Sequence, residues 1–259
     1  KVYKKGKNIT NYLRKKFNTT NNTSEIIEIA YDLQAGSYID FVNSNRQKTE
    51  SYATEVSNIL KSHLKSGDSL LDVGTGESTT LSLVLNNIDI TLSGVYAFDI
   101  SWSRLSKGME FHKDNKKTNV NLSVFVADIK EIPLHGKCVD ILTSNHSLEP
   151  NGKNLGSLLT ELFRITKRKI VLFEPSYELN SNKGKARMDS LGYIKDIEGE
   201  CTKLGGKVVD VIPINNVDNP LNPTACYVIK PPKTKMPSLD VPKFCVPGTN
   251  FKIKSNGSF

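Results

Sequence analysis

The sequence predicts an α/β fold built on a seven-stranded, mostly parallel sheet with helices on both faces. From Asp68 onward, five short runs rich in branched and aromatic residues alternate with segments of helical length, a pattern typical of parallel strands joined by crossover helices. Two further runs are joined by a turn-rich loop without a helical pattern, which predicts a C-terminal antiparallel hairpin. With 259 residues, of which 37% are hydrophobic, the chain is long enough to bury such a core.

The predicted elements follow one another at regular intervals. The parallel strands are predicted at 69–73, 95–100, 122–128, 139–145 and 169–175, and the hairpin strands at 207–214 and 224–230. Helices are predicted at 24–34, 47–65, 77–87, 102–115 and 153–167. In the second of these helices, apolar residues recur at amphipathic spacing, and Gly67 is placed to end it.

The chain divides into three predicted segments. Residues 1–66 form an N-terminal helical extension, residues 67–230 the α/β domain, and residues 231–259 a linker followed by the start of a small appendage. Five prolines between positions 231 and 247 favour an extended linker. We expect the extension to act as a lid over the α/β domain, and the appendage to be cut short at Phe259.

The net charge of +8 is unevenly distributed along the chain. Residues 1–16 carry seven cations and no acid, and residues 230–259 carry six lysines against one aspartate. Residues 17–229 carry 22 basic and 26 acidic side chains, a balance of −4. Arginine is the preferred reader of phosphates and base edges, but the chain has 29 lysines and only 6 arginines. The composition therefore argues against dedicated nucleic-acid recognition.

The sequence also indicates the compartment and the absence of a metal site. No apolar stretch approaches the roughly 18 residues of a membrane-spanning helix, and no apolar region follows the basic N-terminus as in a signal peptide. The four cysteines are widely spaced, and no second cysteine follows Cys245 closely enough for a zinc site. We therefore expect a cytoplasmic protein with no membrane span and no metal.

Residues 70–78, with the sequence LLDVGTGES, predict a cofactor cradle between the first strand and the next helix. Gly74 and Gly76 let the backbone approach a ligand where a Cβ would collide, and the helix N-terminus offers unpaired N–H groups. A dinucleotide site would need a further glycine where this chain has Thr79. Asp72 is unfavourable beside a pyrophosphate but suits a ligand with an ammonium or sulfonium charge.

This segment resembles motif I of the class I S-adenosylmethionine-dependent methyltransferases, whose pattern is acid-x-Gly-x-Gly-x-Gly. Ser78 stands in place of the last glycine. The resemblance covers about residues 68–230 and extends to acids at the ends of the next two predicted strands, Asp99 and Asp128. It implies a Rossmann-like fold, with S-adenosylmethionine as cofactor and S-adenosylhomocysteine as product.

The resemblance also implies which residues bind the cofactor. Asp99 would accept both ribose hydroxyl protons, Asp128 would bind the adenine amino group, and Ile100 and Ile129 would sandwich the adenine ring. Tyr38 resembles a residue of the N-terminal lid that folds over the cofactor. The complete predicted set is Tyr38, Asp72, Gly74, Thr75, Gly76, Asp99, Ile100, Asp128, Ile129 and Asn145.

Some of these residues also have a structural interpretation. Asp72 has the residue type of a helix N-cap, and Asp99 and Asp128 are also compatible with ordinary turns at strand ends. Tyr31 shares the lid resemblance with Tyr38, and both are also compatible with packing in the helical core, which we expect for Tyr31.

The loop after the fourth predicted strand supplies the candidate catalytic residues. His146 is the preferred general base, because an unperturbed imidazole titrates near pH 6.5. Glu149 would either orient His146 or accept the proton itself. The structural alternative is that His146 packs against the adenosine and Glu149 caps the following helix. Glu174 and Tyr177, after the fifth strand, are predicted to line the acceptor pocket, although Pro175 is equally compatible with a structural turn.

These observations predict methyl transfer to an oxygen or nitrogen atom of a small-molecule or carbohydrate-linked acceptor. The sequence of the loop at 145–151 is similar to that of bacterial methyltransferases encoded in surface-polysaccharide clusters, including those that modify capsules with O-methyl phosphoramidate. Two alternatives remain: an RNA methyltransferase that uses its basic ends to hold phosphates, and a non-catalytic binding module that retains the fold.

Overall fold

The computed structural model describes residues 9–233 and the backbone of 244–245 and 252–253. Its helices are α1 (Ile9–Lys16), α2 (Ser24–Asp32), α3 (Ser37–Ser44), α4 (Arg46–Lys61), α5 (Thr79–Leu85), α6 (Trp102–Asn115), α7 (Leu155–Ile165), α8 (Asn182–Leu191) and α9 (Ile197–Lys203), with a 3₁₀ helix at Glu149–Asn154. Within these ranges, no helix has the length and apolar character needed to cross a membrane.

The strands are β1 (Ser69–Val73), β2 (Gly94–Asp99), β3 (Leu122–Val126), β4 (Val139–Asn145), β5 (Thr166–Pro175), β6 (Lys207–Pro213), β7 (Thr224–Lys230), β8 (Phe244–Cys245) and β9 (Lys252–Ile253). The last two pair with each other. The rest of the predicted linker and appendage, the Cys245 side chain and the basic residues 1–8 lie outside the described residues.

Strands β1 to β7 form one sheet in the order β3-β2-β1-β4-β5-β7-β6. Strands β1 to β5 pair in parallel with their neighbours, and β7 runs antiparallel to both β5 and β6. The structure therefore confirms the predicted mostly parallel sheet with its terminal antiparallel hairpin.

Both faces of the sheet are covered by helices. Alternate residues of a strand point to opposite faces, so Leu71 and Leu172 pack with side chains of α7 and α9, whereas Leu70 and Val171 pack with those of α4, α5 and α6. All four side chains are fully buried. Since burying such a side chain contributes about 1.5–3 kcal/mol, two apolar layers of this kind stabilise the sheet from both sides.

Four helices, α1, α3, α8 and α9, are absent from the sequence prediction. None is longer than ten residues, and α8 buries only Gly184 and Met188. So few apolar positions cannot display a 3.6-residue period. Tertiary contacts, rather than a local pattern, therefore hold these short helices in place.

The strand order places a crevice beside the N-terminal extension. It reverses at β1, whose neighbours β2 and β4 lead away in opposite directions, and open α/β sheets bind ligands outside the carboxyl ends of the strands at such a point. Helix α2 packs against α6, and α3 packs against α4 and α5. The extension therefore borders the crevice.

Strand β6 is an edge of the sheet, and its pairing with β7 is interrupted. The register shifts between Val208 and Asp210, so that Val209 is an extra residue on β6, the arrangement of a β-bulge. Val209 and Val211 are each 38% exposed.

Candidate active site

A cavity of about 640 Å³ lies at the carboxyl ends of the parallel strands, within the usual size range of small-ligand sites. Nine of the ten predicted cofactor residues line it: Tyr38, Asp72, Gly74, Thr75, Asp99, Ile100, Asp128, Ile129 and Asn145. Both predicted catalytic residues, His146 and Glu149, line it as well. Gly76 does not, because the side chain of Arg104 lies directly over it.

The turn between β1 and α5 passes three times through the left-handed region. Gly74, Gly76 and Ser78 have φ values of +65°, +57° and +50°, and only the two glycines adopt this conformation without a steric penalty. A Cβ on Gly74 would lie 2.4 Å from the Cβ of Ser147, and one on Gly76 would lie 2.3 Å from Nη2 of Arg104. The glycines therefore make room for the protein's own side chains at the predicted cradle.

Asp72, near the end of β1, is only 6% exposed and borders the cavity. Burial raises its pKa to about 7, although a hydrogen bond from the Thr75 side chain opposes the shift. A buried carboxylate with no cation beside it is costly to ionise. A positively charged ligand would stabilise the ionised form, and Asp72 therefore fits the cationic cofactor implied by the sequence.

Two backbone N–H groups fix Asp99 at the end of β2. Gly76 donates to Oδ2 and Ser101 donates to Oδ1, each at 2.9 Å. Burial raises the pKa of Asp99, while the charge of Arg104 and these two hydrogen bonds oppose the shift. Each oxygen keeps a further acceptor direction, and the carboxylate therefore fits a ligand with two neighbouring hydroxyls.

Asp128, just after β3, connects the cavity to the N-terminal extension. Its Oδ2 accepts a hydrogen bond from the hydroxyl of Ser24, the first residue of α2, and its Oδ1 accepts the backbone N–H of Lys130 at 3.0 Å. Ile100 and Ile129 add aliphatic surface to the same wall. Carboxylates beside aliphatic side chains fit a ligand that combines a flat ring with an amino group.

Glu77, just after the glycine turn, also holds the extension. The side chain is buried, and its two oxygens accept the backbone N–H groups of Gly36 at 3.0 Å and Ile39 at 2.9 Å. These donors lie at the N-terminus of α3, where backbone N–H groups lack partners within the helix and a negative charge is favourable. Glu77 therefore caps α3 from the α/β domain.

A third connection runs from Ser101, after β2, to Asp32 at the end of α2, with the serine hydroxyl donating to the carboxylate. We refer to the bonds Glu77–Gly36/Ile39, Ser101–Asp32 and Asp128–Ser24 as the extension contacts. Each joins α2 or α3 to a residue near the end of one of the strands β1, β2 and β3. The extension is thereby held by the same loops that carry the predicted cofactor residues.

Arg104 of α6 lies between two aromatic rings of the extension. Its guanidinium carbon is 4.8 Å from the ring centroids of both Tyr31 and Tyr38, the geometry of a cation–π contact. Its Nε is 3.8 Å from Oε1 of Glu77 and has no hydrogen-bond partner among the described residues. Both tyrosines line the cavity, so Tyr31 does not pack only in the helical core.

The loop after β4 brings His146 and Glu149 together. Nδ1 of His146 lies 3.2 Å from Oε2 of Glu149, and Nε2 lies 2.8 Å from Oγ1 of Thr224. Burial lowers the pKa of His146, but the hydrogen bond and the charge of Glu149 outweigh this effect, so that the pKa is raised. Both ring nitrogens are engaged within the protein. The carboxylate of Glu149 pairs with His146 instead of capping the following helix.

Glu174, predicted to line the acceptor pocket, is not among the residues that line this cavity. Its side chain is fully buried, and Oε1 accepts the backbone N–H groups of Ser147 and Leu148, each at 3.1 Å, and the hydroxyl of Ser144. Burial raises the pKa of Glu174 to about 7, although the charge of His146 opposes the shift. Glu174 therefore holds the loop after β4 from behind, because the N–H groups of this loop point at its carboxyl group.

Tyr177 is likewise not among the residues that line this cavity, and its predicted role at the acceptor stays a prediction. Its hydroxyl donates to Asp189 at 3.3 Å, and its ring centroid lies 5.5 Å from Nζ of Lys185 and 4.7 Å from Nζ of Lys195. These partners belong to α8 and the segment after it, neither of which the sequence pattern predicted.

The cavity contains charged residues that sequence reasoning missed. Glu77 and Arg104 lie in predicted helices, where a charged side chain usually faces solvent, and only the position of Glu77 inside the glycine motif gave a signal. Arg187 comes from α8, which was not predicted. It lines the cavity and donates from Nη1 to Oδ1 of Asn222 at 3.2 Å.

Several solved structures that share this fold are described as methyltransferases. The magnesium protoporphyrin IX methyltransferase of Synechocystis, with bound S-adenosylhomocysteine, is 13% identical, with 78% of this chain and 98% of that chain covered and a TM-score of 0.58. One chain of a Haloferax volcanii complex between a methyltransferase activator and a methyltransferase is 16% identical, covers 78% and 97%, and has a TM-score of 0.59. A methyltransferase of Aquifex aeolicus dependent on S-adenosylmethionine is 20% identical, covers 67% and 88%, and has a TM-score of 0.51. At these identities the likeness establishes the fold.

No curated protein sequence matches the chain. A family profile described as a methyltransferase domain, in contrast, matches residues 64–219. This range includes β1 to β6 and all the acids of the cavity wall. Because the match spans more than half of the sequence, this chain belongs to the methyltransferase-domain family and is a methyltransferase.

Proposed function

We propose that this chain transfers a methyl group from S-adenosylmethionine to an oxygen or nitrogen atom of a small, or carbohydrate-linked, acceptor. One observation carries the proposal: the carboxylates of Asp72, Asp99 and Asp128 line the same cavity as the paired His146 and Glu149. The first three suit a cationic, hydroxyl-rich donor, and the pair suits an acceptor that must lose a proton.

Different residues of the cavity wall bind different parts of the donor. When bound, S-adenosylmethionine supplies a methyl group carried on a positively charged sulfur. Asp72 offers its carboxylate to the positive charge of the amino-acid part, and Asp99 accepts the ribose hydroxyls. Asp128 accepts the adenine amino group, and Ile100 and Ile129 provide apolar surface for the ring. The extension contacts close α2 and α3 over this part of the cavity.

Glu149 is the proton acceptor, and His146 positions it. Both nitrogens of His146 are already engaged, with Glu149 and with Thr224, whereas the Glu149 carboxylate borders the cavity. A general base must reach the proton that it removes. A carboxylate has about four acceptor directions, so Glu149 can accept a proton while it keeps its contact with His146. With an acceptor that supports turnover, we expect E149Q to lower kcat by about two orders of magnitude and leave the cofactor Kd unchanged.

The acceptor is small because the extension borders its route to the donor. Side chains of α2 and α3, including Tyr31 and Tyr38, line the same cavity as His146. A folded RNA would have to bring a base past them. A sugar-linked acceptor of surface-polysaccharide synthesis agrees with this geometry and with the resemblance of the 145–151 loop.

Calorimetry with S-adenosylhomocysteine tests the donor, and an acceptor screen tests the substrate class. We expect one site per chain, weakened at least tenfold by D99N, which keeps the shape of the side chain but loses its charge. The matched control is D140N, because Asp140 binds Ser69 at the other end of the sheet. Absence of binding to the wild-type protein would refute the proposal.

The acceptor screen measures S-adenosylhomocysteine released with sugar nucleotides, polyols and total RNA as separate acceptors. We expect turnover only with small acceptors, and no dependence on the basic residues 1–16. Turnover with RNA that falls steeply with added salt would instead establish the RNA methyltransferase.

A further inference from the structure

Arg187 is a cation of the cavity wall with no carboxylate partner in the described part of the chain. Arg46, Arg104, Arg164 and Arg168 each lie within 4.0 Å of a carboxylate oxygen. Arg187 forms no such pair, although it lines a cavity that contains several acids. Holding an unpaired charge in a partly buried position costs free energy, and this cost is offset when a ligand brings an anion.

Two side chains hold the guanidinium of Arg187 in place. Nη1 donates to Oδ1 of Asn222 at 3.2 Å, and the guanidinium carbon lies 5.6 Å from the ring centroid of Tyr193. Both partners line the same cavity. Of the five N–H donors of an arginine, the described residues accept one. The Tyr193 ring and the Asn222 amide orient the guanidinium plane of Arg187, and the remaining N–H donors lie in that plane.

Asn222 connects this arginine to the proposed base. Its Oδ1 accepts from Arg187, and its Nδ2 donates to Oε2 of Glu149 at 3.4 Å. An acceptor bound by the guanidinium therefore lies one side chain away from the carboxylate that removes its proton. One small molecule can therefore place one functional group at Arg187 and another at Glu149.

The same cavity wall contains a buried polar atom without a hydrogen-bond partner among the described residues. Asn151 is 4% exposed, and its Oδ1 has no hydrogen-bond partner among the described residues. The next residue, Gly152, donates its N–H to the carbonyl of Gly192 at 3.1 Å, which places Asn151 beside the segment of Tyr193. A buried amide oxygen without a donor is satisfied by a ligand hydroxyl or amino group.

Arg187 and the acids predicted to bind the donor lie toward different ends of the sheet. The acids Asp72, Asp99 and Asp128 end or follow the strands β1, β2 and β3, which occupy one end of the strand order. Arg187 and Asn222 lie on the connections from β5 to β6 and from β6 to β7, at the other end. Arg104 at the first end pairs with Glu77, and Lys48 pairs with Asp218 on the β6–β7 connection. Arg187 is therefore a cation of the second end without a carboxylate partner among the described residues, and His146 and Glu149 lie between the two ends, after β4.

We propose that Arg187 is a specificity-determining residue that binds an anionic group, a carboxylate or a phosphate monoester, on the methyl acceptor. The inference rests on the proposed function, because it assigns the far end of the cavity to the acceptor. A guanidinium binds both anions through two parallel N–H bonds. Asn151 accepts a hydroxyl or amino group of the same molecule.

Nuclear magnetic resonance of the arginine Nε–H groups tests the anion site directly. The protein, saturated with S-adenosylhomocysteine, is titrated with sodium phosphate and, separately, with sodium acetate, at an ionic strength held constant with sodium chloride. We expect a saturable shift of the Arg187 signal, identified by its loss in R187K. Tighter binding of phosphate would assign a phosphate monoester, and tighter binding of acetate a carboxylate.

Variants on the same helix provide the controls. In the variants, binding is followed through the side-chain amide signal of Asn222, which contacts residue 187 and is present in every variant. R187Q should weaken binding of the preferred anion about tenfold, R187K should weaken it less because the charge remains without the fork, and K183Q, which alters an exposed lysine of α8, should change nothing. Linear, unsaturable shifts in the wild type, or equal affinity in R187Q, would overturn the inference. Calorimetry of each variant with S-adenosylhomocysteine separates this outcome from failure of the donor site, which would refute the proposed function itself.

Discussion

At the scale of single residues, two buried carboxyl groups, those of Asp72 and Glu174, lie near the cavity. Burial raises the pKa of both Asp72 and Glu174 to about 7. Asp72 lines the cavity and Glu174 lies behind the loop after β4. A group whose pKa is higher in the folded than in the unfolded protein favours folding while it is protonated, and this contribution is lost as the pH rises through the folded-state pKa.

We expect D72N to remove a pH-dependent loss of stability. The unfolded-state pKa of aspartate is about 3.8 and the folded-state value is about 7, so the free energy of unfolding of the wild type should fall relative to D72N between these pH values. The difference should reach the order of 4 kcal/mol above pH 7. Urea unfolding at several pH values measures it, and a difference independent of pH would contradict the assignment.

D140N is a control for which the expected pH dependence of the free energy of unfolding is reversed. The pKa of Asp140 is lowered, because hydrogen bonds from Ser69 and the charge of Lys167 outweigh the effect of burial. Its contribution to stability is present above the unfolded-state pKa and lost as the pH falls through the folded-state value. D140N should therefore be less stable than the wild type at neutral pH, and the deficit should shrink toward acid.

Glu174 should tolerate glutamine but not alanine. Glutamine keeps the oxygen that accepts from Ser147, Leu148 and Ser144. Alanine leaves the backbone N–H groups of Ser147 and Leu148 without this acceptor, at about 1–3 kcal/mol for each donor, whereas the Ser144 hydroxyl keeps the Ser147 hydroxyl as a partner. We expect the free energy of unfolding of E174Q to lie within about 1 kcal/mol of the wild-type value near pH 6, and that of E174A to be several kcal/mol lower. Hydrogen exchange at the amides of Ser147 and Leu148 should accelerate in E174A only. An unchanged exchange rate there would show that the carboxyl does not hold the loop.

At the scale of elements, the turn from β1 to α5 and helix α3 depend on each other through Glu77. The turn passes through the left-handed region at Gly74 and Gly76, and the next residue, Glu77, caps α3 with both oxygens. The local geometry of the turn therefore decides where the extension is attached.

G74A should destabilise the protein for two separable reasons. Alanine is strained at a φ of +65°, and its Cβ would lie 2.4 Å from the Cβ of Ser147. Gly67 has a φ of +86°, and a Cβ there would have no neighbouring atom within 4 Å, so G67A should carry the backbone penalty alone, about 1 kcal/mol. We expect G74A to cost more than G67A, and S147G to recover the excess in the double variant. Equal losses in G74A and G67A would exclude the collision.

E77Q should loosen α3 without unfolding the sheet. One of its two terminal groups becomes an N–H donor facing a backbone N–H, so one capping bond is lost. We expect amide exchange in 40–44 to accelerate about tenfold, the equivalent of about 1.4 kcal/mol, while exchange in β1 and β4 is unchanged. E50Q, which alters an exposed pair with Arg46 on α4, is the matched control. Unchanged exchange in α3 would mean that Glu77 does not cap it.

At the scale of the whole molecule, the sheet was predictable because its signals are long and repeated. The predicted bounds of β1, β4 and β7 agree with the structure, since buried strands read as continuous apolar runs. The acids after β1, β2 and β3 line one cavity, as strand-end positions in a parallel sheet require. Arg104 and Arg187 could not be predicted, because their positions depend on tertiary packing and, for Arg187, on a helix with almost no apolar pattern.

Binding of S-adenosylhomocysteine should stabilise the molecule as a unit. A ligand at a hundredfold excess over its Kd adds about 2.7 kcal/mol to the free energy of unfolding, which for a chain of this size corresponds to a rise in Tm of about 5 °C or more. Calorimetric melting measures the rise, and D99N should reduce it. A Tm that does not respond to the ligand would contradict the assigned donor site.

The bulge at Val209 has a consequence for how copies of the protein meet. Strand β6 leaves one row of backbone donors and acceptors unpaired within the sheet, and its exposed Val209 and Val211 make that rim prone to association. The extra residue interrupts the spacing of the row, so an incoming strand finds matching partners on only one side of it. The irregularity therefore protects the enzyme against edge-to-edge aggregation, and deletion of Val209 would create an uninterrupted template for fibrous assembly.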